Sequence, residues 1–180
     1  VGDVLKYLDE VNRAMLHLGQ DPKVIFLGQS VAYKGNVIFK SLESLPPDRK
    51  LELPVVEEMQ MGMSIGLALG GYIPVSVFPR FNFLLLALNQ LVNHLDKIPH
   101  ISKGAWRPRV IIKTMVGSVR PLHPGIQHCG DFTEALRKML DWVVVEDLQE
   151  PEQVFPAYAK ALERDGATVL VEHGDHYHER

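Results

Sequence analysis

The sequence predicts an α/β fold, a mainly parallel sheet with helices on both faces in three layers, and three observations carry that reading. Short apolar runs with the composition of covered strands alternate with segments of helical periodicity. The helical segments between them run to roughly ten residues or more, the length that a right-handed crossover between parallel strands requires. No internal repeat, low-complexity tract or second zone of composition interrupts the 180 residues, so a single layered unit accounts for them.

The elements follow in order. From Asp3 to Leu18, the residues Val4, Leu5, Leu8, Val11, Met15 and Leu18 recur at three- and four-residue steps on one face of an amphipathic helix, which Gly19 ends. Lys23 to Gly28 is a short, almost wholly apolar run closed by glycine, the pattern of a strand covered on both faces. The polar stretch through Gly35, Pro46 and Pro47 reads as a long loop. Leu53 to Val56 is a second extended piece leading into Glu57, after which Met59, Gly62, Met63, Gly66 and Leu67 share a helical face up to Gly70 and Gly71. Tyr72 to Phe78 reads as strand, Phe83 to Lys97 as helix and Val110 to Met115 as strand. Phe132 to Leu140 is then helix, Trp142 to Val145 strand, Glu150 to Arg164 helix, and Thr168 to Glu172 a last strand before a polar tail expected to be solvated. Ligands of such sheets sit beyond the carboxyl ends of the strands. The loops after Leu27, Val56, Phe78, Met115 and Val145 are therefore where a site is expected.

Composition removes several function classes. Nineteen basic against twenty-two acidic residues give a net charge of −3, which argues against a nucleic-acid partner. The single Cys129 excludes a disulfide framework and a multi-cysteine metal site, and suits a reducing compartment. The longest apolar run, Phe83 to Leu88, is too short to span a bilayer, and no signal-peptide pattern opens the chain. The expectation is a cytoplasmic protein without a membrane partner.

A few residues could carry chemistry. Glu57 opens a helix, where a carboxylate either does specific work or complements the helix dipole. The run Phe78-Pro-Arg-Phe-Asn-Phe83 puts three aromatics at a strand end, as core packing around a turn or as a wall for a flat heterocycle. His123 and His128 lie in a loop rich in Gly and Pro, with no third ligand at metal-binding spacing, so no metal site is assigned. His128 beside Cys129 is not a nucleophile and its base, because sequence neighbours rarely have that geometry. Gly28-Gln29-Ser30 lacks the Gly and Lys of a phosphate loop.

Together these pieces resemble a known family. Gly28 to Gly35 (GQSVAYKG), Pro54 to Gly71 (PVVEEMQMGMSIGLALGG), Phe78 to Phe83 (FPRFNF), Asn89 to Asn93 (NQLVN) and Gln127-His128 resemble, in order and spacing, the pyrimidine-binding domain of thiamine-diphosphate enzymes. The likeness is strongest to the beta subunit of the 2-oxo acid dehydrogenases, and transketolase has a similar domain. It covers the chain from about Lys23 to Glu172. The resemblance implies that Glu57 hydrogen-bonds N1′ of the aminopyrimidine and favours the imino tautomer, so that the 4′ nitrogen can take the proton from C2 of the thiazolium. It implies that Phe83, with Phe81 close by, lies against the pyrimidine ring. His128 falls on a histidine that works on the substrate and in acyl transfer, and Gln29 on a first-loop position, usually acidic, that reaches the cofactor pocket.

Two departures stand out. Glu58 follows Glu57, and since adjacent helical residues point about 100° apart only one of them can face the ring. The Gly-Asp-Gly stretch and downstream Asn that hold the family's diphosphate and magnesium have no counterpart here, nor does its C-terminal transketolase domain. Residues 1–180 thus read as a single pyrimidine-binding domain, active only with a diphosphate-domain subunit that brings the magnesium. Self-association is also expected. The reaction would be 2-oxo acid decarboxylation and dehydrogenation, or ketol transfer. A ketose phosphate would call for cations such as Arg80, Arg107 or Arg120 at the mouth, each also explicable as ordinary surface charge. The alternative is a non-catalytic assembly module derived from this domain.

Overall fold

Six strands form one all-parallel sheet in the order β2-β1-β3-β4-β6-β5, in a computed structural model that describes residues 5–178. The chain enters through α1 (Tyr7–Gly19); Asp3 and Val4 of the expected helix lie outside the described residues. It continues through β1 (Val24–Gly28), α2 (Val37–Ser41), β2 (Lys50–Glu52), α3 (Glu57–Leu69) and β3 (Ile73–Val77). The second half runs α4 (Phe81–Leu84), α5 (Ile98–Ile101), β4 (Ile111–Val116), α6 (Thr133–Met139), β5 (Val144–Leu148), α7 (Pro151–Glu163) and β6 (Thr168–His173).

Strand alternation divides the core into two layers. Phe26, Val75, Val77, Ile111 and Leu170 meet Val11, Met15 and Leu18 of α1 and Val154 and Tyr158 of α7 on one face. Ile112, Val169 and Val171 meet Met61 and Ile65 of α3, Leu84, and Leu136 of α6 on the other. This is why β1, β3 and most of β6 are largely apolar rather than alternating: both faces are covered.

The structure corrects the sequence reading at five places. The second strand is Lys50–Glu52, inside the presumed loop, and Leu53 to Val56 is not a strand. Leu53 N–H still bonds the Gly28 carbonyl at 2.9 Å, but Pro54 has no N–H to extend the ladder and Val56 N–H turns back to the Pro54 carbonyl at 2.8 Å. The rest of that loop is partly ordered: Asn36 Oδ1 caps α2 by accepting from Phe39 N–H at 2.7 Å, and Arg49 donates to the Pro22 and Val24 carbonyls at 2.7 and 2.8 Å. The helix expected over Phe83 to Lys97 changes pitch, from α4 through a 3₁₀ turn at Leu85–Ala87 to a π-helical stretch at Asn89–Leu95, where Asp96 N–H reaches the Leu91 carbonyl at 2.9 Å. The fifth strand is shifted to Val144–Leu148.

The tail is packed, not solvated. Gly174–His178 forms a 3₁₀ turn that buries Tyr177. The fully buried Glu172 carboxylate accepts from the Lys113 ammonium, from the Tyr177 hydroxyl and from Tyr158 Oη at 2.6 Å, while Tyr7 Oη donates to the Leu148 carbonyl at 2.6 Å. Burial pushes the Lys113 ammonium below its usual range against the pull of Glu172, and burial with the Glu172 charge holds Tyr158 and Tyr177 well above theirs. Three donors on one carboxylate make this ion pair tolerable in a dry interior. Among the described residues, no helix is long and apolar enough to cross a membrane.

Candidate functional site

The chain order reverses across the sheet at β1, which has β2 on one side and β3 on the other, and parallel sheets open a crevice beyond the strand ends at such a point. Gly28 closes β1 at φ +140, and a Cβ there would collide with the Val77 carbonyl oxygen and approach Gln60 Nε2 to 2.9 Å. Glycine is what lets the two strand ends converge.

Behind this convergence lies a polar network. Gln29 Nε2 donates to the Pro54 carbonyl at 3.2 Å and to Gln60 Oε1 at 2.9 Å; Gln60 Nε2 donates to Ser76 Oγ and to the Val77 carbonyl, both at 3.0 Å. Gln60 is fully buried, and Gln29 Oε1 is buried with no partner among the described residues. Gln29 is thus tied to the segment that precedes α3. Sequence reasoning missed Gln60 and Ser76. Their only signal was a Gln and a Ser amid apolar neighbours.

The two glutamates at the start of α3 part company. Glu57 is 4% exposed and its carboxylate makes no hydrogen bond or ion pair among the described residues. Glu58 faces outward, where Asn89 Nδ2 and Gln90 Nε2 donate to its Oε1 at 3.0 and 3.4 Å. Those two bonds, Asn89 first, hold the Glu58 carboxyl below the usual range. One helix position therefore separates a largely buried glutamate whose carboxylate has no protein partner among the described residues from an exposed one already engaged.

The aromatic segment also divides. Phe81 is fully buried and packs edge-on against Phe132, with ring centroids 5.5 Å apart. Phe83 is half-buried, and its ring stands edge-on to the His128 imidazole at 5.7 Å and 87°. His128 Nδ1 is buried without a partner. Arg80 lies between the two segments: one guanidinium nitrogen donates to the Gly117 carbonyl at 2.6 Å and to the His128 carbonyl at 3.1 Å. Asn82 Oδ1 accepts from Gly130 N–H at 3.0 Å, and Asp175 Oδ1 accepts from Val119 and Arg120 N–H at 2.9 and 3.1 Å. The loop bearing His128 is thereby fastened along its length. His123 is not part of the arrangement; its Nδ1 accepts from Gly125 N–H within the exposed turn.

No family model matches the chain. Individual relatives do. It is 34% identical over 156 residues to the pyruvate dehydrogenase E1 component subunit beta of Gracilaria tenuistipitata var. liui, covering 85% of this chain and 47% of that one. It is 28% identical over 130 residues to the 2-oxoisovalerate dehydrogenase subunit beta of Bacillus subtilis, covering 69% and 39%. The 3-methyl-2-oxobutanoate dehydrogenase subunit beta of Mycobacterium tuberculosis is 32% identical over 139 residues, covering 73% and 38%. The chain is a homologue of the 2-oxo acid dehydrogenase beta subunits. It spans less than half the length of these relatives. Its fold is transketolase-like: a split-gene transketolase described as an inactive beta4 tetramer superposes with a TM-score of 0.71 at 19% identity over 94% of this chain and 51% of that one. The transketolase of Leishmania mexicana gives 0.73 at 19% identity, over 96% and 26%. Of the pieces that resemble the family, Gly28 to Gly35 follows β1, Pro54 to Gly71 contains α3 and Phe78 to Phe83 follows β3.

Proposed function

We propose that this domain supplies the aminopyrimidine half of a thiamine-diphosphate site in a 2-oxo acid dehydrogenase, with a second subunit holding the diphosphate and its magnesium. The observation that carries the reading is the contrast at the start of α3, where Glu57 is buried without a protein partner while Glu58 is turned out to Asn89 and Gln90. A largely buried carboxyl with no protein partner is costly unless a ligand brings one, and N1′ of an aminopyrimidine is such a partner: it accepts a proton from the carboxyl in the amino form and donates it back in the imino form.

The residues present fit the group. Glu57 would hold a proton at N1′, the half-buried Phe83 would offer a ring beside the heterocycle, and His128, with an unpartnered Nδ1, would serve the substrate side. Phe81, enclosed in the core, would back Phe83 from inside rather than touch the ring. Gln29 would line the site through its unpartnered Oε1. When bound, thiamine diphosphate supplies the carbon nucleophile and electron sink that decarboxylation of a 2-oxo acid requires.

The relatives favour a 2-oxo acid over a ketose phosphate. Arg80 is spent on two backbone carbonyls, and Arg107 precedes β4, at the opposite end of the sheet from the crevice. Neither is placed to meet a sugar phosphate; Arg120, exposed in the loop after β4, is the one of the three cations that stands on the crevice's side of the sheet with its side chain unengaged among the described residues.

Assembly would complete the site. Gly66 on α3 has open space where a Cβ would stand, and Met59 and Leu86, the latter 63% exposed, are uncovered apolar residues on α3 and on the turn packed against it. Small and apolar residues together suit the close approach of another subunit. The experiment is a calorimetric titration with thiamine diphosphate and magnesium, on the chain alone and mixed with a diphosphate-domain subunit. Tight binding is expected only in the mixture. Tight, magnesium-dependent binding by the chain alone contradicts the division of the site.

A further inference from the structure

A second recess lies at the other end of the sheet. A cavity of about 250 Å³ opens where the chain enters β4, β5 and β6, bounded by Pro108, Trp142 and Gly166 together with Arg107, Arg164 and Asp165. The crevice at Glu57 belongs to the carboxyl ends of the strands and this cavity to the amino ends. A six-residue strand such as β4 separates the two by roughly 20 Å.

Its chemistry is cationic and aromatic. The Arg107 guanidinium lies 6.0 Å from the centroid of the Trp142 ring and meets Asp165 at 3.6 Å, a loose pair with both side chains largely in solvent. Exposed pairs of this kind contribute little and are readily exchanged for a better anion. Arg164 donates to the Trp142 carbonyl at 3.1 Å, but its Nε is buried with no partner and it makes no ion pair among the described residues. Arg109 donates to the Leu162 carbonyl, and its Nε is also buried without a partner. Two arginines, Arg107 and Arg164, thus line the cavity beside one aspartate, Asp165. Asp96, the acid behind the wall, is already engaged by Lys97 and by the N–H groups of Asp141, Trp142 and Val143. Buried donors left unpaired in a folded protein call for an explanation, and a missing anion is one.

We propose that this cavity is a binding site for a small organic oxyanion, a carboxylate or phosphate ester with a flat apolar body. The guanidinium groups of Arg107 and Arg164 take the oxyanion, since the planar fork of arginine matches both groups. The Trp142 ring and Pro108 take the body. The volume, below the roughly 300 Å³ at which drug-sized sites begin, restricts the ligand to one ring or its equivalent. Nothing in this site depends on the cofactor at the other end of the sheet.

The test uses the full chain carrying Trp106→Phe, so that Trp142 is the one remaining tryptophan reporter. Its fluorescence is titrated with benzoate, phenyl phosphate, inorganic phosphate and phenol. A saturable change is expected with benzoate or phenyl phosphate, at a dissociation constant on the order of 1 mM, fitting for a ligand of that size. The stronger of the two names the headgroup. Phenol, which lacks the charge, gives no saturation. Arg164→Gln weakens binding at least about tenfold, and Arg107→Gln, at an exposed position where folding is not at stake, weakens it in the same sense. Circular dichroism confirms that each variant is folded. No saturable change with either anion up to about 10 mM, or equal affinity in both arginine variants, overturns the proposal. Phenol binding as well as the anions do also overturns it, by making the cavity merely apolar.

Discussion

The Phe83 ring meets the His128 imidazole edge-on, 5.7 Å between centroids and 87° between planes, so the residue assigned to the cofactor ring and the one assigned to the substrate share a contact. Two segments distant in sequence are thereby joined at one spot. In the assembled enzyme, His128→Ala is expected to lower turnover of a 2-oxo acid by about 10²-fold or more while leaving proton exchange at the cofactor C2 nearly intact, because the role proposed for His128 is on the substrate. Equal losses in both measurements would move His128 to the cofactor side.

Arg80 fixes where that histidine stands. Arg80→Met removes the donor shared by the Gly117 and His128 carbonyls, and amides 117–130 should then exchange with deuterium faster while those of β3 and β4 keep their protection. Arg80→Lys should restore part of the protection. A uniform loss across the sheet would mean that Arg80 supports the fold as a whole.

Two glycine substitutions should act in opposite directions. Gly28→Ala forces a side chain into φ +140 and against the Val77 carbonyl, and is expected to destabilise the chain by about 3 kcal/mol or more in urea unfolding. Gly66→Ala meets nothing within 4 Å in this chain and should stabilise it by roughly 0.5–1 kcal/mol through helix propensity. The same Gly66→Ala change should weaken assembly if another backbone packs there, as sedimentation of the complex would show.

Asp96 predicts the acid limb of stability. Burial alone would raise its carboxyl pKa, but the Lys97 ammonium and the N–H groups of Val143, Trp142 and Asp141 outweigh this and hold it below the usual carboxylate range. With the folded value depressed, its contribution is present above the unfolded pKa near 3.9 and is lost as pH falls through the folded value. Thermal melts should therefore decline below about pH 4, and Asp96→Asn should flatten that decline while costing about 1–3 kcal/mol at neutral pH.

At the alkaline end the sign reverses. Tyr158 and Tyr177 are held well above the usual phenol range by burial and by Glu172, so folding keeps their protons on. Their contribution is intact below the unfolded pKa near 10 and is lost as pH rises through the folded values. Unfolding should set in above about pH 10. Tyr177→Phe, which removes one donor from the buried Glu172, should destabilise by about 1–3 kcal/mol at pH 7.

Much of this was legible in the residues. The α/β class followed from periodicity, because strands covered on both faces are mostly apolar and β1, β3 and the middle of β6 are short apolar runs. Glu57 was separable from Glu58 in principle, since adjacent helix positions diverge, but which of them turns inward depends on Asn89 and Gln90, some thirty residues away. Phe81 and Phe83 look alike in sequence and part only because Phe132 closes over the first. Strand β2 was hidden because Lys50, Leu51 and Glu52 form an edge with little apolar burial. The tail looked solvated for a similar reason: Tyr177 and Asp175 find their partners on β6 and in the loop after β4, which no local pattern reveals.

The most direct measurement is hydrogen–deuterium exchange at C2 of thiamine diphosphate in the assembled complex, compared among wild type, Glu57→Gln and Glu58→Gln. If the buried Glu57 sets the tautomer, Glu57→Gln slows exchange by roughly 10²- to 10⁴-fold with assembly intact, because an amide cannot share the N1′ proton as a carboxylate does. Glu58→Gln, altering a carboxylate that faces Asn89 and Gln90, stays close to wild type. A silent Glu57→Gln with a severe Glu58→Gln, or exchange unaffected by either, contradicts the account.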